Sequence, residues 1–177
     1  MIDYQPIVKK VSSIAIQVAI MLFVFLLMST ALDIWRAQQL PQGTLPVGSY
    51  TTLNEQVINF HDLEHYAADE LVVVYFWATW CGPCKVTSPS VKQLAKHHPV
   101  VSIAMASGDD KVLEQYVSSS GLNIPVINDD NQAIANTWGV KVTPTVLFIK
   151  GGQIHGYTMG ASGYPGLLAR AWWLAKG

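Results

Sequence analysis

Leu71-Val72-Val73-Val74-Tyr75-Phe76-Trp77-Ala78-Thr79-Trp80-Cys81-Gly82-Pro83-Cys84-Lys85 is the stretch that decides the fold. Its first half, Leu71 to Trp77, is a short apolar run rich in β-branched and aromatic residues, and it reads as a buried strand. From Lys85 to His97 the chain reads as a helix. Between them stand the only two cysteines of the protein, two residues apart. A Cys-x-x-Cys on a strand-to-helix junction carries a redox mechanism. The first cysteine meets the unpaired N–H groups and the positive dipole end of the helix, which favour a thiolate. The second lies one turn deeper, close enough to close a disulfide and release a bound partner. As a structural staple the pair would be poor, because so short a loop removes little chain entropy.

Working outward, the chain has room for one domain and an appendage: 177 residues, half of them hydrophobic and only 13% charged. The apolar excess has an address. Val11 to Leu32 contains no charged residue, and at about 1.5 Å per residue such a helix crosses a hydrocarbon core of about 30 Å. Lys9 and Lys10 precede it; Asp33 and Arg36 follow. The positive-inside rule then puts residues 1–10 in the cytoplasm, an anchor at 11–32 and the rest across the membrane. A cleaved signal peptide is the alternative, since Ser29-Thr30-Ala31 resembles a cleavage site. The apolar run is longer than the usual 7–15 residues of such a peptide, which favours an uncleaved anchor. In a bacterium this exports the domain to the oxidising periplasm. The expected location is the inner membrane, single-pass, with the N-terminus inside. A formal net charge of −1 gives no electrostatic case for nucleic acid.

Residues 33–48 carry Pro41, Gly43, Pro46 and Gly48 and read as a linker to a domain at 49–177. Thr51 to Phe60 alternates weakly, as short edge strands do, and His61 to Asp69 reads as a short helix or turn. Pro89 falls inside the helix that follows the cysteines and predicts a kink. Val100 to Ala106 is a second apolar strand. Asp109 or Asp110 caps a helix reaching to about Ser119. Ile124 to Ile127 is a short strand followed by a turn over Asn128-Asp129-Asp130-Asn131. Gln132 to Trp138 is a helix ended by Gly139. Thr145–Ile149 and Gln153–Met159 form a hairpin through Gly151-Gly152. Tyr164 to Ala175 closes as a helix. The alternation predicts an α/β fold, a mixed central sheet with helices on both faces, preceded by one transmembrane helix.

These residues resemble the thioredoxin superfamily. Val74 to Lys85 resembles its active-site strand and helix start, Pro89 its helix proline, Trp138-Gly139-Val140-Lys141-Val142-Thr143-Pro144-Thr145 its cis-proline loop, and Gly160 a late glycine after the hairpin. The resemblance spans about Val57 to Lys176. The anchor and the stretch Ile124 to Asp129 resemble the exported TlpA-type branch, in which a helix and a strand are inserted between the two halves. Tyr75 to Cys81, Thr87 to Val91, Ser107 to Asp110 and Val142 to Thr145 are similar to the suppressor-of-copper-sensitivity protein D group of membrane-anchored disulfide oxidoreductases. Cytochrome-c-maturation thioredoxins are a second relative, whose Gly-Ala-Pro-Glu type of cis-proline loop is absent. Thioredoxin proper has a buried Asp where this chain has Tyr75, which leaves the proton acceptor for Cys84 unassigned.

The resemblance implies thiol–disulfide exchange with protein partners. Cys81 attacks a partner disulfide and Cys84 resolves the mixed disulfide. Trp80, Gly82 and Pro83 form the surrounding motif, and a cis Pro144 turns the backbone of Thr143 toward an extended partner segment. Gly82 and Pro83 add no charge between the cysteines. The pair is therefore expected nearer thioredoxin (thiolate pKa about 7, potential about −270 mV) than a strong oxidant (about 3.5 and about −120 mV). That favours reduction, with a DsbD-type membrane protein as the implied electron donor. Two alternatives stand beside it: reduction of apocytochrome thiols, and a non-catalytic binding module of the same fold. No cofactor is expected. His61 and His65 have i,i+4 spacing but no clustered third ligand, so no metal site is assigned. Trp77 and Trp138 read as core, His97-His98 as a helix C-terminus that favours positive charge, and Trp172-Trp173 as packing of the last helix, with contact to the membrane as the alternative.

Overall fold

The computed structural model describes residues 48–60 and 70–176, with helical positions 16–18, 20, 21, 23, 24, 27 and 28. The chain divides into two units, residues 1–40 and 41–177. Most of the expected anchor, the linker and the segment 61–69 with His61 and His65 lie outside the described residues. Among the described residues no helix is long and apolar enough to cross a membrane.

The second unit is built on a five-stranded mixed sheet and a two-stranded ribbon. The ribbon pairs β1 (Ser49–Thr51) with β2 (Val57–Asn59), antiparallel. In the sheet, β3 (Val72–Trp77) is central. It runs parallel to β4 (Val100–Met105), which runs parallel to β5 (Val126–Asp129). On its other side β3 pairs antiparallel with β6 (Thr145–Lys150), which forms a hairpin with β7 (Gln153–Met159). Every residue of β3 and β4 is buried, as expected of inner strands covered on both faces. Gly151 and Gly152 take φ of 55° and 70°. That double left-handed turn suits a two-residue hairpin and is open to glycine at little cost.

Among the described residues, four helices cover the sheet: α1 (Cys84–Leu94), α2 (Asp110–Ser120), α3 (Ala133–Thr137) and α4 (Tyr164–Lys176). Alternation along β3 sorts them. Val73, Tyr75 and Trp77 share a buried cluster with Val91 and Leu94 of α1, Leu113 of α2, and Leu167 and Ala171 of α4. Phe76 faces the other way. Its ring lies 5.8 Å from that of Trp138, which meets Phe60 at 4.9 Å. Trp77 and Trp138 are core residues, as the sequence reading has them. The thioredoxin-like α/β fold, with helices on both faces, agrees with the sequence.

Three expectations are corrected. The strand expected at 124–127 is displaced two residues on, to Val126–Asp129. Pro125 has no N–H to give the ladder; its carbonyl accepts the first rung of the β4–β5 pairing, from the backbone N–H of Ser102 at 2.8 Å, and also the Ser102 hydroxyl at 3.0 Å. Asn128 and Asp129, expected in the turn, are therefore paired to Ala104 and Met105. Trp172 and Trp173 do not pack the last helix. They are 56% and 73% exposed, because Leu167 and Ala171 occupy the inward stripe of α4. His98 does not gain charge at a helix end. Burial first, and then the neighbouring His97, push its pKa down, against an opposing pull from Glu70.

Candidate active site

The site lies where β3 runs out and α1 begins. Pro83 is the N-cap of α1, with no side-chain cap bond and no acid in the first turn. The orphan donors of the helix start turn instead to the motif itself. The N–H of Cys84 donates to Cys81 Sγ at 3.2 Å, that of Lys85 to Gly82 O, and those of Val86 and Thr87 to Pro83 O. The first sulfur therefore sits against the positive end of the helix, where negative charge on sulfur is favoured. Cys81 and Cys84 are joined as a disulfide, with S–S 2.08 Å and Cα–Cα 5.3 Å. Both are buried, at 4% and 2% exposure, while Gly82 and Pro83 between them are exposed.

Trp80 stands beside the pair, 68% exposed, with its indole N–H bonded to Ala106 O at 2.9 Å. One residue earlier, the Thr79 N–H donates to Ser107 Oγ at 3.0 Å, and the Ser107 hydroxyl donates in turn to Met105 O. Ala106 and Gly108 both have positive φ, 43° and 92°. This turn is braced by β5 and the residue after it: Gly108 N–H bonds Asp130 Oδ1, Asn128 Nδ2 donates to Gly108 O, and Ala106 N–H bonds Asp129 O. The Ala106–Gly108 turn thus holds the active-site loop from the side, and the sequence reading assigned it no such role. Its signal in the sequence is a Ser-Gly-Asp-Asp run directly after an apolar strand, which carries the helix cap and part of the resemblance but does not by itself point to the active-site loop. Asp109 is that cap, accepting from Val112 N–H at 2.9 Å.

The Thr143–Pro144 peptide bond is cis, as the resemblance implies. Thr145 pairs with Phe76 in the β3–β6 register, so Pro144 and Thr143 lie at the same end of the sheet as Trp77 and the loop that carries Cys81. Thr143 is half-buried and Pro144 buried. Gly160 N–H bonds Pro144 O, and Ser162 N–H bonds Thr87 Oγ1 on α1 at 3.0 Å. The turn after β7 therefore ties the cis-proline loop to the active-site helix. Chemically, the arrangement offers one redox pair at a helix start, rimmed by an exposed indole and by the proline loop. Every sequence-assigned site residue gathers at this end.

Tyr75 occupies the position of the missing acid. It is fully buried, and its hydroxyl lies 2.9 Å from Ser88 Oγ. Burial pushes its pKa up to about 12, with the Ser88 hydrogen bond pulling the other way. A phenol held neutral in this way is no resting base.

Comparison with known proteins agrees with this geometry. The Thioredoxin family model matches residues 52–170. A thioredoxin-like protein of Haemophilus influenzae is 32% identical over 147 residues, covering 82% of this chain and 86% of its own. The thiol-disulfide oxidoreductase ResA of Oceanobacillus iheyensis is 29% identical over 115 residues, 62% of this chain and 57% of its own. Among solved structures, a thioredoxin-family thiol:disulfide interchange protein of Chlorobium tepidum superposes with a TM-score of 0.63 at 20% identity. The match covers 76% of this chain and 97% of that one, and at that identity it speaks for the fold. With its cysteine pair at disulfide distance on this scaffold, the chain belongs to the thioredoxin family and is a thiol–disulfide oxidoreductase.

Proposed function

We propose that this oxidoreductase is exported, held at the outer face of a bacterial inner membrane by residues 11–32, and reduces disulfides of partner proteins. The carrying observation is the Cys81 sulfur set on the Cys84 N–H at the start of α1, with only neutral Gly82 and Pro83 between the cysteines. Reduced Cys81 attacks one sulfur of a partner disulfide and displaces the other as a thiolate. Cys84 then attacks Cys81, re-forming the bridge and freeing the partner's second thiol. Two electrons pass to the partner. In an oxidising compartment they must be restored from the membrane, and a DsbD-type donor is the proposed source. The uncharged run from Val11 to Leu32 behind Lys9 and Lys10 supports the anchor and its orientation. The Tyr75–Cys81 and Ser107–Asp110 phrases support a place in the suppressor-of-copper-sensitivity protein D group. An extended partner segment would pair with the backbone at Thr143, beside the exposed face of Trp80.

The test is the reduction potential of the Cys81–Cys84 pair in the full chain, equilibrated against glutathione and dithiothreitol. A potential near −270 mV, of thioredoxin order, supports reduction; one near −120 mV makes the protein a disulfide donor.

A further inference from the structure

Resolution of the mixed disulfide requires Cys84 to lose its proton while buried at 2% exposure. The surroundings offer few acceptors. Among the described residues Asp129 is the one buried carboxylate, and both its oxygens are taken by the backbone N–H groups of Ile134 and Ala135 at 2.9 and 2.8 Å. Apart from the cysteines themselves, Tyr75 is the one fully buried titratable side chain in the cluster that contains Cys84.

Its hydroxyl is not isolated. Ser88 follows Cys84 by one helical turn on α1, so the two side chains share a helix face, with Cβ atoms about 5–6 Å apart. The Tyr75–Ser88 hydrogen bond of 2.9 Å, in which either oxygen can be the donor, is therefore held one helical turn along α1 from Cys84, and Tyr75 and Cys84 belong to one buried cluster. Ser88 is only half-buried and lines a cleft of about 270 Å³ between α1 and α2. The groups facing the pair there are Lys85 and Lys92 of α1 and Tyr116 of α2, with no carboxylate and no imidazole among the lining residues.

We propose that the Tyr75–Ser88 hydroxyl pair is the proton exit of Cys84. A hydroxyl donates and accepts at once, so the pair passes a proton without either oxygen holding charge. The thiol proton enters the pair from Cys84. A hydroxyl proton leaves from Ser88 to water or a buffer base in the cleft. The Cys84 thiolate then attacks Cys81, the new S–S bond takes the place of the mixed one, and the partner sulfur leaves with the electron pair. The proposal rests on the exchange activity already assigned.

The reduced full chain in detergent, mixed with 5,5′-dithiobis(2-nitrobenzoate), separates the two steps by absorbance. Attack by Cys81 releases one thionitrobenzoate, and resolution by Cys84 releases a second. With Tyr75→Phe the first phase is expected unchanged. The second is expected slower on the order of a hundredfold, with its pH profile displaced upward because bulk hydroxide must now reach the thiol. Ser88→Ala, at a half-exposed site that tolerates the loss, is expected to slow the same phase. An unchanged second phase and pH profile in both variants overturns the relay. So does equal slowing of both phases, which would mean a general distortion. A single release from the unsubstituted protein would instead remove the exchange mechanism on which the relay depends.

Discussion

The indole Nε1 of Trp80 donates to the carbonyl oxygen of Ala106 at 2.9 Å, although the ring is 68% exposed. An exposed tryptophan held by a main-chain acceptor is a fixed wall beside Cys81 rather than a mobile flap. The acceptor is aimed by a backbone that alanine rarely adopts, φ 43°, at a cost of about 1–2 kcal/mol relative to the ordinary region. The same turn holds Thr79 through Ser107.

Removing that brace should be visible. Ser107 is 5% exposed and links Thr79 N–H to Met105 O. Ser107→Ala leaves the Thr79 donor unpaired and should cost about 1–3 kcal/mol in urea unfolding. Ala106→Gly relieves the positive φ and should be neutral or stabilising by up to about 1 kcal/mol, opposite to the usual sign for alanine to glycine.

Asp129 organises the far side of the same turn. Its carboxylate accepts from Ile134 and Ala135, and its carbonyl accepts from Ala106 and Gln132. Asp129→Ala should lose about 3 kcal/mol, from two buried donors left without a charged acceptor. Asp129→Asn retains one acceptor oxygen and should lose less. Thermal unfolding of the two variants orders them.

His98 supplies a pH dependence. Burial, followed by His97, lowers its native pKa, so the unfolded chain binds more protons. Stability is then greatest above the ordinary histidine value of about 6.5. It falls as pH drops through that value toward the lowered native one. His98→Asn should flatten this part of the curve, read as denaturant midpoint against pH. An unchanged slope would place the titration elsewhere.

The two cysteines should separate in function. Cys84→Ser leaves Cys81 able to attack but unable to be resolved. It should accumulate partner mixed disulfides that run as high-mass bands on non-reducing gels and vanish on reduction. Cys81→Ser should trap nothing and lose at least about a hundredfold in disulfide reduction, since it removes the attacking thiolate.

Much of the scaffold could be read along the chain, because it rests on local rules. The apolar run of β3, the Gly151-Gly152 hairpin and the Asp109 cap each stand on neighbouring residues. Where a partner distant in sequence intervened, the reading slipped. Pro125 stands just outside β5 for want of an N–H, and the strand runs on to Asp129 because Ala104 and Met105, 24 residues away, pair with Asn128 and Asp129. Trp172 and Trp173 look like packing residues by composition, yet the burial stripe of α4 passes through Leu167 and Ala171 instead.

The sequence by itself determined the chemistry: two cysteines at helix-start spacing after a buried strand, a second proline loop, and no charge between the thiols. Tertiary structure alone decided what surrounds them. That Ala106 and Ser107 hold Trp80 and Thr79, that Asp129 is consumed by α3, and that Tyr75 meets Ser88 at the edge of a cleft all depend on contacts between separate elements. The reason is physical. Periodicity and spacing report which face of an element is apolar and which residues are neighbours along the chain. A hydrogen bond across 26 residues exists only once the sheet register and the helix packing have brought donor and acceptor within 3 Å.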